Sequence, residues 1–247
     1  MSRLYKTSLV DKKQYSGDDR FFGRRKGRPL NKMRQKSLAL LETIAVPENM
    51  TARNKNTQDS KLPPSDYFQK TYKDFYLEIG FGNGEFLARS AKTHPEIAHI
   101  GAEPFINGVA ALCKSLNDQN TDNIRIWPDD VRFLLDGLKD NSISRVYILN
   151  PDPWPKKRHH KRRIVNPEML DRFARVMKPS AQIIMTSDID DLAQWMAIQI
   201  VNHSQFRWDI NNFNDVYKKP DGWQATRYEE KGRRKGHKQF YLKAMKL

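Results

Sequence analysis

The feature that most constrains the fold is a glycine-rich turn between a predicted strand and a predicted helix. Residues 74–79 have the apolar character of a buried strand, and residues 85–92 have that of a helix. Between them stand three glycines: Gly80, Gly82 and Gly84. Three glycines within five residues let the backbone turn sharply and let a ligand reach main-chain N–H groups without meeting Cβ atoms. This pattern predicts a ligand site at the start of a doubly wound α/β sheet.

Two acidic residues favour a particular ligand at this turn. Glu103 ends the next predicted strand, residues 97–103, where a carboxylate can accept hydrogen bonds from both ribose hydroxyls. The glycine spacing is GxGxG, whereas dinucleotide-binding turns have GxGxxG. Glu78 precedes the first glycine by two residues and would repel a diphosphate but attract a cationic amino-acid group. The turn resembles the first motif of class I methyltransferases, which favours S-adenosylmethionine over NAD; a turn that only packs strand against helix is the alternative.

Composition bounds the organisation and the partner. A chain of 247 residues with 38% apolar content fits one large α/β domain plus a tail. The net charge of +15 predicts a polyanionic partner, either nucleic acid or anionic lipid. No apolar run is long enough to span a bilayer or to form a signal-peptide core, so we expect no membrane insertion and a cytoplasmic location. Cys113 is the single cysteine, which excludes an intramolecular disulfide.

The first part of the chain is polar and basic. We predict a partly flexible basic arm over residues 1–60, with a short helix at residues 35–46, and one domain over residues 61–247. The centre of the arm carries four cations, which either are solvated or contact phosphates: Arg24, Arg25, Lys26 and Arg28.

Beyond residue 74, strands and helices alternate, which predicts a parallel sheet with helices on both faces. The third strand, residues 123–127, is followed by Asp129 and Asp130. In class I methyltransferases an acid at this place accepts a hydrogen bond from the adenine amine, and we favour Asp130 for it. Asp130 also opens the next predicted helix, where Asp is a preferred N-cap, and the two roles are compatible.

The most distinctive stretch follows the fourth strand, residues 145–149. It reads NPDPWPKKRHHKRR over residues 150–163. Asp152 should project into the crevice beyond the carboxyl ends of the strands, held by a loop that three prolines stiffen. Six Lys or Arg residues within eight positions predict phosphate binding, with a solvated basic loop as the alternative. His159 and His160 lack companions at ligand spacing, so we predict no metal site.

Three segments together resemble the bacterial tRNA (guanine-N7-)-methyltransferase family. They are LEIGFG at residues 77–82, PDPWPKKRHHKRR at residues 151–163, and TRYE at residues 226–229. The resemblance implies an α/β, Rossmann-like class I methyltransferase fold with a mostly parallel seven-stranded sheet and helices on both faces. It also implies methyl transfer from S-adenosylmethionine to N7 of a guanine in the variable loop of tRNA.

The same resemblance implies roles for single residues. Four acids match cofactor-binding positions: Glu78, Glu103, Asp130 and Asp152. Asp152 also matches the catalytic position. Substrate-binding positions are matched by Lys156, Asp188, Thr226, Arg227, Tyr228 and Glu229. The basic arm lies outside the resemblance and receives no role from it, and the choice between monomer and homodimer stays open.

The implied chemistry follows from the purine itself. Guanine N7 is an acceptor lone pair with no proton to remove, so no general base is required before attack on the methyl group. Alignment of the reacting atoms can supply much of the rate. A carboxylate accepting from guanine N1–H and N2–H, from Asp152 or Asp188, gains strength as positive charge reaches the purine. From the residues alone, Asp188 is equally a helix N-cap, and TRYE is equally a surface turn in which Glu229 pairs with an arginine.

Two other functions stay open at this point. The NPDPW segment is similar to the Asn/Asp-Pro-Pro-aromatic motif of amino-methyltransferases, although Asp152 separates its first two prolines. A non-catalytic RNA-binding protein on the same fold is the second, and the intact glycine turn and the four acids argue against it.

Overall fold

Seven strands form one sheet in the computed structural model, which describes residues 21–52, 61–116, 119 and 121–247. The strands are β1 (Phe75–Ile79), β2 (Ala98–Ala102), β3 (Ile124–Trp127), β4 (Ile143–Leu149), β5 (Met177–Ser187), β6 (Phe206–Trp208) and β7 (Phe240–Lys246). Their order is β3-β2-β1-β4-β5-β7-β6. Strands β1 to β5 pair in parallel, and β7 pairs antiparallel with β5 and β6. The predicted mostly parallel seven-stranded sheet is confirmed.

Helices cover both faces of this sheet, as predicted. They are α1 (Lys32–Ser37), α2 (Leu41–Ile44), α3 (Glu85–Thr93), α4 (Ile106–Leu116), α5 (Val131–Gly137), α6 (Pro167–Val176), α7 (Asp190–Val201) and α8 (Arg227–Arg234). One apolar cluster joins α2, α3 and α4 to β3, and Cys113 is fully buried in it. A larger cluster joins α5, α6 and α7 to the other face. Every residue of β2 and β3 is buried, as expected for parallel strands covered on both sides.

The strand order creates a crevice at one edge of the sheet. From β1 the chain proceeds outward to β3 and then returns to β4 on the other side of β1. The connections that leave β1 and β4 therefore diverge, which opens a gap beyond the carboxyl ends of these two strands. The glycine turn and the NPDPW segment both stand at this gap.

Part of the predicted basic arm is packed as part of the domain. Leu41 and Ile44 are buried, and the N–H of Val46 donates to the carbonyl oxygen of Ile126 at 2.8 Å. The helix predicted over residues 35–46 is divided in two, because the 3-10 turn Leu38–Leu40 separates α1 from α2. Residues 31–52 thus pack on the edge of the sheet; the division at residue 60 otherwise stays a prediction.

The end of α8 determines where the last strand begins. β7 begins at Phe240, three residues after His237. The N–H of His237 donates to the carbonyl oxygen of Gly232 at 3.1 Å, and Gly236 between them has a left-handed φ of 79°. These bonds belong to the end of α8, so His237 is held by the helix and cannot join the sheet.

Candidate active site

The glycine turn has the backbone conformation that its residues require. Gly80, Gly82 and Gly84 have φ values of 69°, 56° and 75°, a region that side chains other than glycine rarely adopt. The turn also lies directly on α4, because a Cβ atom at Gly108 would stand 2.2 Å from the carbonyl oxygen of Gly82. Gly108, which the sequence analysis did not single out, therefore sets how closely α4 approaches the turn.

Glu103 ties the turn to the second strand. Its Oε2 accepts from the N–H of Gly82 and its Oε1 from the N–H of Phe105, both at 2.8 Å. Burial raises the pKa of Glu103 to about 6, against the lowering effect of the two N–H donors. The carboxylate lines a cavity of about 850 Å³ that begins at the glycine turn.

Glu78 lines the same cavity and is poorly satisfied. Its side chain is buried, and among the described residues its Oε2 has no hydrogen-bond partner. Burial, together with the neighbouring Glu103 carboxylate, raises the pKa of Glu78 to about 8. A buried acceptor without a donor costs free energy, so this position favours a ligand that brings a cation or a strong donor.

The two acids after β3 both line this cavity, and their bonds differ. Asp130 is the N-cap of α5: its Oδ1 accepts from the N–H of Arg132 at 3.0 Å, and its Oδ2 pairs with the guanidinium of Arg132 at 2.7 Å. Asp129 accepts from the N–H of Asp130 at 2.8 Å and pairs with Arg25 at 2.6 Å. The predicted cap is confirmed, and the adenine contact of Asp130 stays a prediction.

The loop after β4 is held in an uncommon conformation. Asn150 and Trp154 have φ values of 47° and 45°, which is rare for side chains of their size. Asn150 anchors the loop: its N–H donates to the carbonyl oxygen of Thr186 at 3.0 Å, and its Oδ1 accepts from Gln239 at 2.8 Å. Asp152, two residues further on, is exposed. No local pattern predicts this role of Asn150, because Thr186 on β5 and Gln239 just before β7 are far from it in the sequence.

One member of the basic run is structural. Arg163 is fully buried, donates from Nε to the carbonyl oxygen of Pro153 at 2.9 Å and forms an ion pair with Asp191. Its guanidinium therefore joins the loop to α7 and is not available to a phosphate, which corrects the prediction for this residue. Four of the other cations are exposed: Lys156, Lys157, Arg158 and Lys161.

Asp188 lies at the carboxyl end of β5 and borders a second cavity, of about 270 Å³. Its Oδ2 pairs with Nδ1 of His237 at 2.9 Å. The cap of α7 stands at Ile189, so the interpretation of Asp188 as a helix N-cap is wrong. His237 was missed as a site residue, because only the end of α8 brings it to β5.

The TRYE segment begins a helix rather than forming a surface turn. Thr226 caps α8, with its Oγ1 accepting from the N–H of Glu229 at 3.1 Å. Tyr228 is 62% exposed and borders both cavities. Glu229 points inward: it accepts from Trp223 at 2.9 Å and from the Tyr241 hydroxyl.

The structure thus brings some of the predicted substrate residues to the cavities and not others. Thr226 borders the first cavity, Asp188 the second, and Tyr228 both. Arg227 and Lys156 are exposed and line neither of the two described cavities. Glu229 is buried and lines neither cavity. Direct substrate contact by any of the six residues stays a prediction.

The two cavities meet at one carboxylate. Both are bordered by Asn150, Pro151, Asp152 and Tyr228. A ligand in the first cavity and an acceptor in the second would therefore approach each other beside Asp152, which is the arrangement that a group transfer needs.

Among the described residues, no group of three His, Cys, Asp or Glu side chains is placed to hold a metal ion. In the same part of the chain no helix is long and apolar enough to cross a membrane.

Comparison with known proteins agrees with this architecture. A family model described as "Putative methyltransferase" matches residues 73–242. The crystal structure of the 16S rRNA methyltransferase KamB matches with a TM-score of 0.50 and 14% identity, covering 79% of this chain and 93% of that one. At this identity the match shows the fold alone.

Sequence relatives define the family more closely. The tRNA (guanine-N(7)-)-methyltransferase of Chelativorans sp. (strain BNC1) is 41% identical, with 90% of this chain and 93% of that protein covered. The enzymes of the same name from Rhodospirillum rubrum and Agrobacterium fabrum are each 38% identical. They cover 91% and 95% of this chain, and 87% and 98% of their own lengths. With such identity over nearly its whole length, the chain belongs to the tRNA (guanine-N(7)-)-methyltransferase family.

Proposed function

We propose that this protein transfers a methyl group from S-adenosylmethionine to N7 of a guanine in tRNA, in the variable loop as the family resemblance implies. The observation that carries the proposal is the position of Asp152 at the common border of the two cavities. The first cavity is the cofactor site, and the second receives the guanine. The names of the relatives support the same reaction.

The chemistry of the first cavity fits this cofactor. S-adenosylmethionine supplies an electrophilic methyl group on a sulfonium and carries an ammonium. The unpaired, buried carboxylate oxygen of Glu78 is suited to such positive charge. Glu103 is placed at the end of β2 to accept from ribose hydroxyls. The proposed cofactor set is Glu78, Gly80, Gly82, Gly84, Glu103, Asp130 and Asp152, with Gly84 starting α3 and not lining the cavity.

The second cavity offers the groups that guanine recognition requires. Asp188 presents a carboxylate that can accept from guanine N1–H and N2–H, and His237 holds that carboxylate by pairing with its Oδ2. Tyr228 offers an exposed aromatic face for stacking on an unstacked base. Its position at both cavities suits a residue that holds the purine against the reacting methyl group.

Catalysis in this arrangement is electrostatic and positional. N7 attacks as a lone pair, so no side chain has to remove a proton beforehand. As the new bond forms, positive charge develops on the purine, and the carboxylates of Asp152 and Asp188 stabilise that charge more than they stabilise the neutral base. Asp152 is thus the proposed catalytic residue, acting through charge and orientation.

The exposed cations of the NPDPWPKKRHHKRR loop supply the contacts with the RNA backbone. Lys156 is the proposed phosphate contact nearest to Asp152 in the sequence, and three further exposed cations follow it in the loop. Such contacts position the RNA but do not select the base. Selection is left to the second cavity.

The test is methyl transfer from labelled S-adenosylmethionine to unmodified bulk tRNA, followed by digestion to nucleosides. We expect the label to co-elute with 7-methylguanosine. Label in a different nucleoside would move the reaction to an amino-methyltransferase. Absence of label together with retained S-adenosylmethionine binding would show that the substrate assignment is wrong.

A further inference from the structure

The described part of the basic arm before α1 lies across the cofactor cavity. Four consecutive residues line it: Phe21, Phe22, Gly23 and Arg24. Arg25 follows and pairs with Asp129 at 2.6 Å, while its carbonyl oxygen accepts from the N–H of Ile106 at 3.0 Å. Asp129 follows β3 and Ile106 begins α4, so the arm is fixed beside the ends of β2 and β3.

A second contact fixes the arm one turn further along. The N–H of Gly27 donates to Oδ1 of Asn107 at 2.8 Å, and Nδ2 of Asn107 donates to the carbonyl oxygen of Arg28 at 2.8 Å. A Cβ atom at Gly27 would lie 2.8 Å from the ring of Phe105. One amide side chain therefore holds the arm by its backbone, and a larger residue at position 27 would have to displace the ring of Phe105.

An arginine between two aromatic rings connects the arm to the NPDPW segment. The guanidinium of Arg162 lies 4.5 Å from the ring centre of Phe22 and 5.0 Å from that of Trp154. It is therefore sandwiched between the arm and the NPDPW segment. Cation–π contacts of this kind are stronger where the cation is shielded from water. Within the arm itself, the guanidinium of Arg25 lies 4.9 Å from the ring centre of Phe21.

We propose that residues 21–25 are a further cofactor-binding element, which covers the adenosine part of S-adenosylmethionine and is closed by Arg162 from the basic loop. The placement indicates the adenosine end, because the arm is fixed beside Glu103, at the ribose position, and Asp129, next to the adenine position. Two phenyl rings suit a purine, which gains stacking energy against an aromatic face. The proposal rests on the proposed function only for the identity of the cofactor.

Under this proposal one cation of the arm has a role other than the phosphate contact predicted for it. Arg25 is engaged with Asp129, so its charge serves the cofactor cavity rather than a phosphate. Lys26 and Arg28 are exposed and keep the predicted phosphate role as a prediction. Arg162 belongs to both functions, because its loop faces RNA while its guanidinium is stacked on the arm.

The experiment is calorimetric binding of S-adenosylhomocysteine to the full chain without tRNA, with thermal unfolding as the control for folding. We expect Phe21→Ala combined with Phe22→Ala to weaken binding by about tenfold or more, as the loss of base stacking would. Equal affinity of this double variant and the wild type would overturn the proposal. No binding by the wild type would overturn both this proposal and the cofactor assignment on which it rests.

Two matched pairs separate the contacts from the charge. Arg25→Ala should weaken binding severalfold, whereas Lys26→Ala removes the same charge from an exposed neighbour and should leave it unchanged. Arg162→Ala should likewise weaken binding, whereas Arg158→Ala, in the same loop, should not. Equal losses within either pair would attribute the effect to net charge and contradict the proposal.

Discussion

The two cavities that meet at Asp152 are built in opposite ways. The first is lined by buried acids and glycines whose positions the backbone fixes, and two of the acids have raised pKa values. The second has a half-exposed carboxylate, an exposed tyrosine and two lysines at its edge, one inside α8 and one at its C-cap. A small cationic ligand is held by a few strong contacts with buried groups, whereas a large polyanion is held by many weak contacts with exposed ones. Single substitutions should therefore act differently on the two sides.

The substitution with the largest expected effect is that of Asp152, the carboxylate at the border between the two cavities. Asp152→Asn keeps the shape of the side chain and removes its charge, and we expect turnover to fall by about 100-fold or more, as when one preorganised electrostatic group is lost. Single-turnover methylation measures this, with tRNA binding measured alongside. Near-normal turnover with normal tRNA binding would contradict the role of the charge.

The next effect belongs to the cofactor side and depends on pH. With the pKa of Glu78 raised to about 8, its ionised fraction increases with pH below that value. The affinity for S-adenosylmethionine should therefore rise by up to about tenfold per pH unit between pH 6 and pH 7.5. Glu78→Gln should abolish this rise and bind weakly at pH 7.5. If calorimetry shows that the affinity of the wild type for S-adenosylmethionine does not change with pH, the proposed role of Glu78 is wrong.

The same raised pKa has a consequence for stability. The free folded protein holds a proton on Glu78 at pH values where the unfolded chain has already lost it. The contribution of this group to the free energy of unfolding should therefore fall as pH rises from 4.5 to about 8. Bound cofactor should offset that fall, which denaturant unfolding with and without S-adenosylmethionine can measure.

The guanine side should respond to a single methyl group. A Cβ atom at Gly232, inside α8, would stand 2.7 Å from Oδ2 of Asp188. Gly232→Ala should displace this carboxylate and raise KM for tRNA by about tenfold, the effect of weakening one charged hydrogen bond. Cofactor affinity should not change. Ala favours a helix over Gly by up to about 1 kcal/mol, so we expect no loss of stability in this variant. Unfolding measurements on the variant check this.

The smallest effect should come from the open basic loop. Lys156→Ala should weaken tRNA binding only a few-fold and reduce the salt dependence by about one phosphate contact. Lys139→Ala is the matched control, because this exposed lysine precedes β4 and so lies at the opposite edge of the sheet. An equal loss for both variants would show that net charge, not the loop, binds the RNA.

Residues that act through local backbone were predictable. The glycine turn, the acid after each strand and the three-proline loop lie at the carboxyl ends of consecutive strands, and parallel strands bring those ends together in any α/β fold. Sequence order and spacing thus sufficed to place Glu78, Glu103 and Asp152 near one cavity. The adenine contact of Asp130 and the substrate contacts, including those of Arg227, Glu229 and Lys156, stay predictions.

Residues that act through distant partners were not predictable. Arg163 looks like its neighbours in the basic run. It is nevertheless buried, because it pairs with Asp191 and donates to the carbonyl oxygen of Pro153. Glu229 sits in a polar motif, yet it points inward because Trp223 and Tyr241 donate to it. Nothing in the local sequence distinguishes such a residue from an exposed one.

The sheet, the glycine turn, the family and the reaction that the family performs were all predictable from the sequence. Periodicity, turn chemistry and motif spacing are local properties, and each is readable within a few residues. The packed chain was needed to show that residues 21–24 line the first cavity, that His237 pairs with Asp188, and that Asp152 stands between two cavities. Each of these depends on side chains far apart in the chain, whose meeting is set by packing.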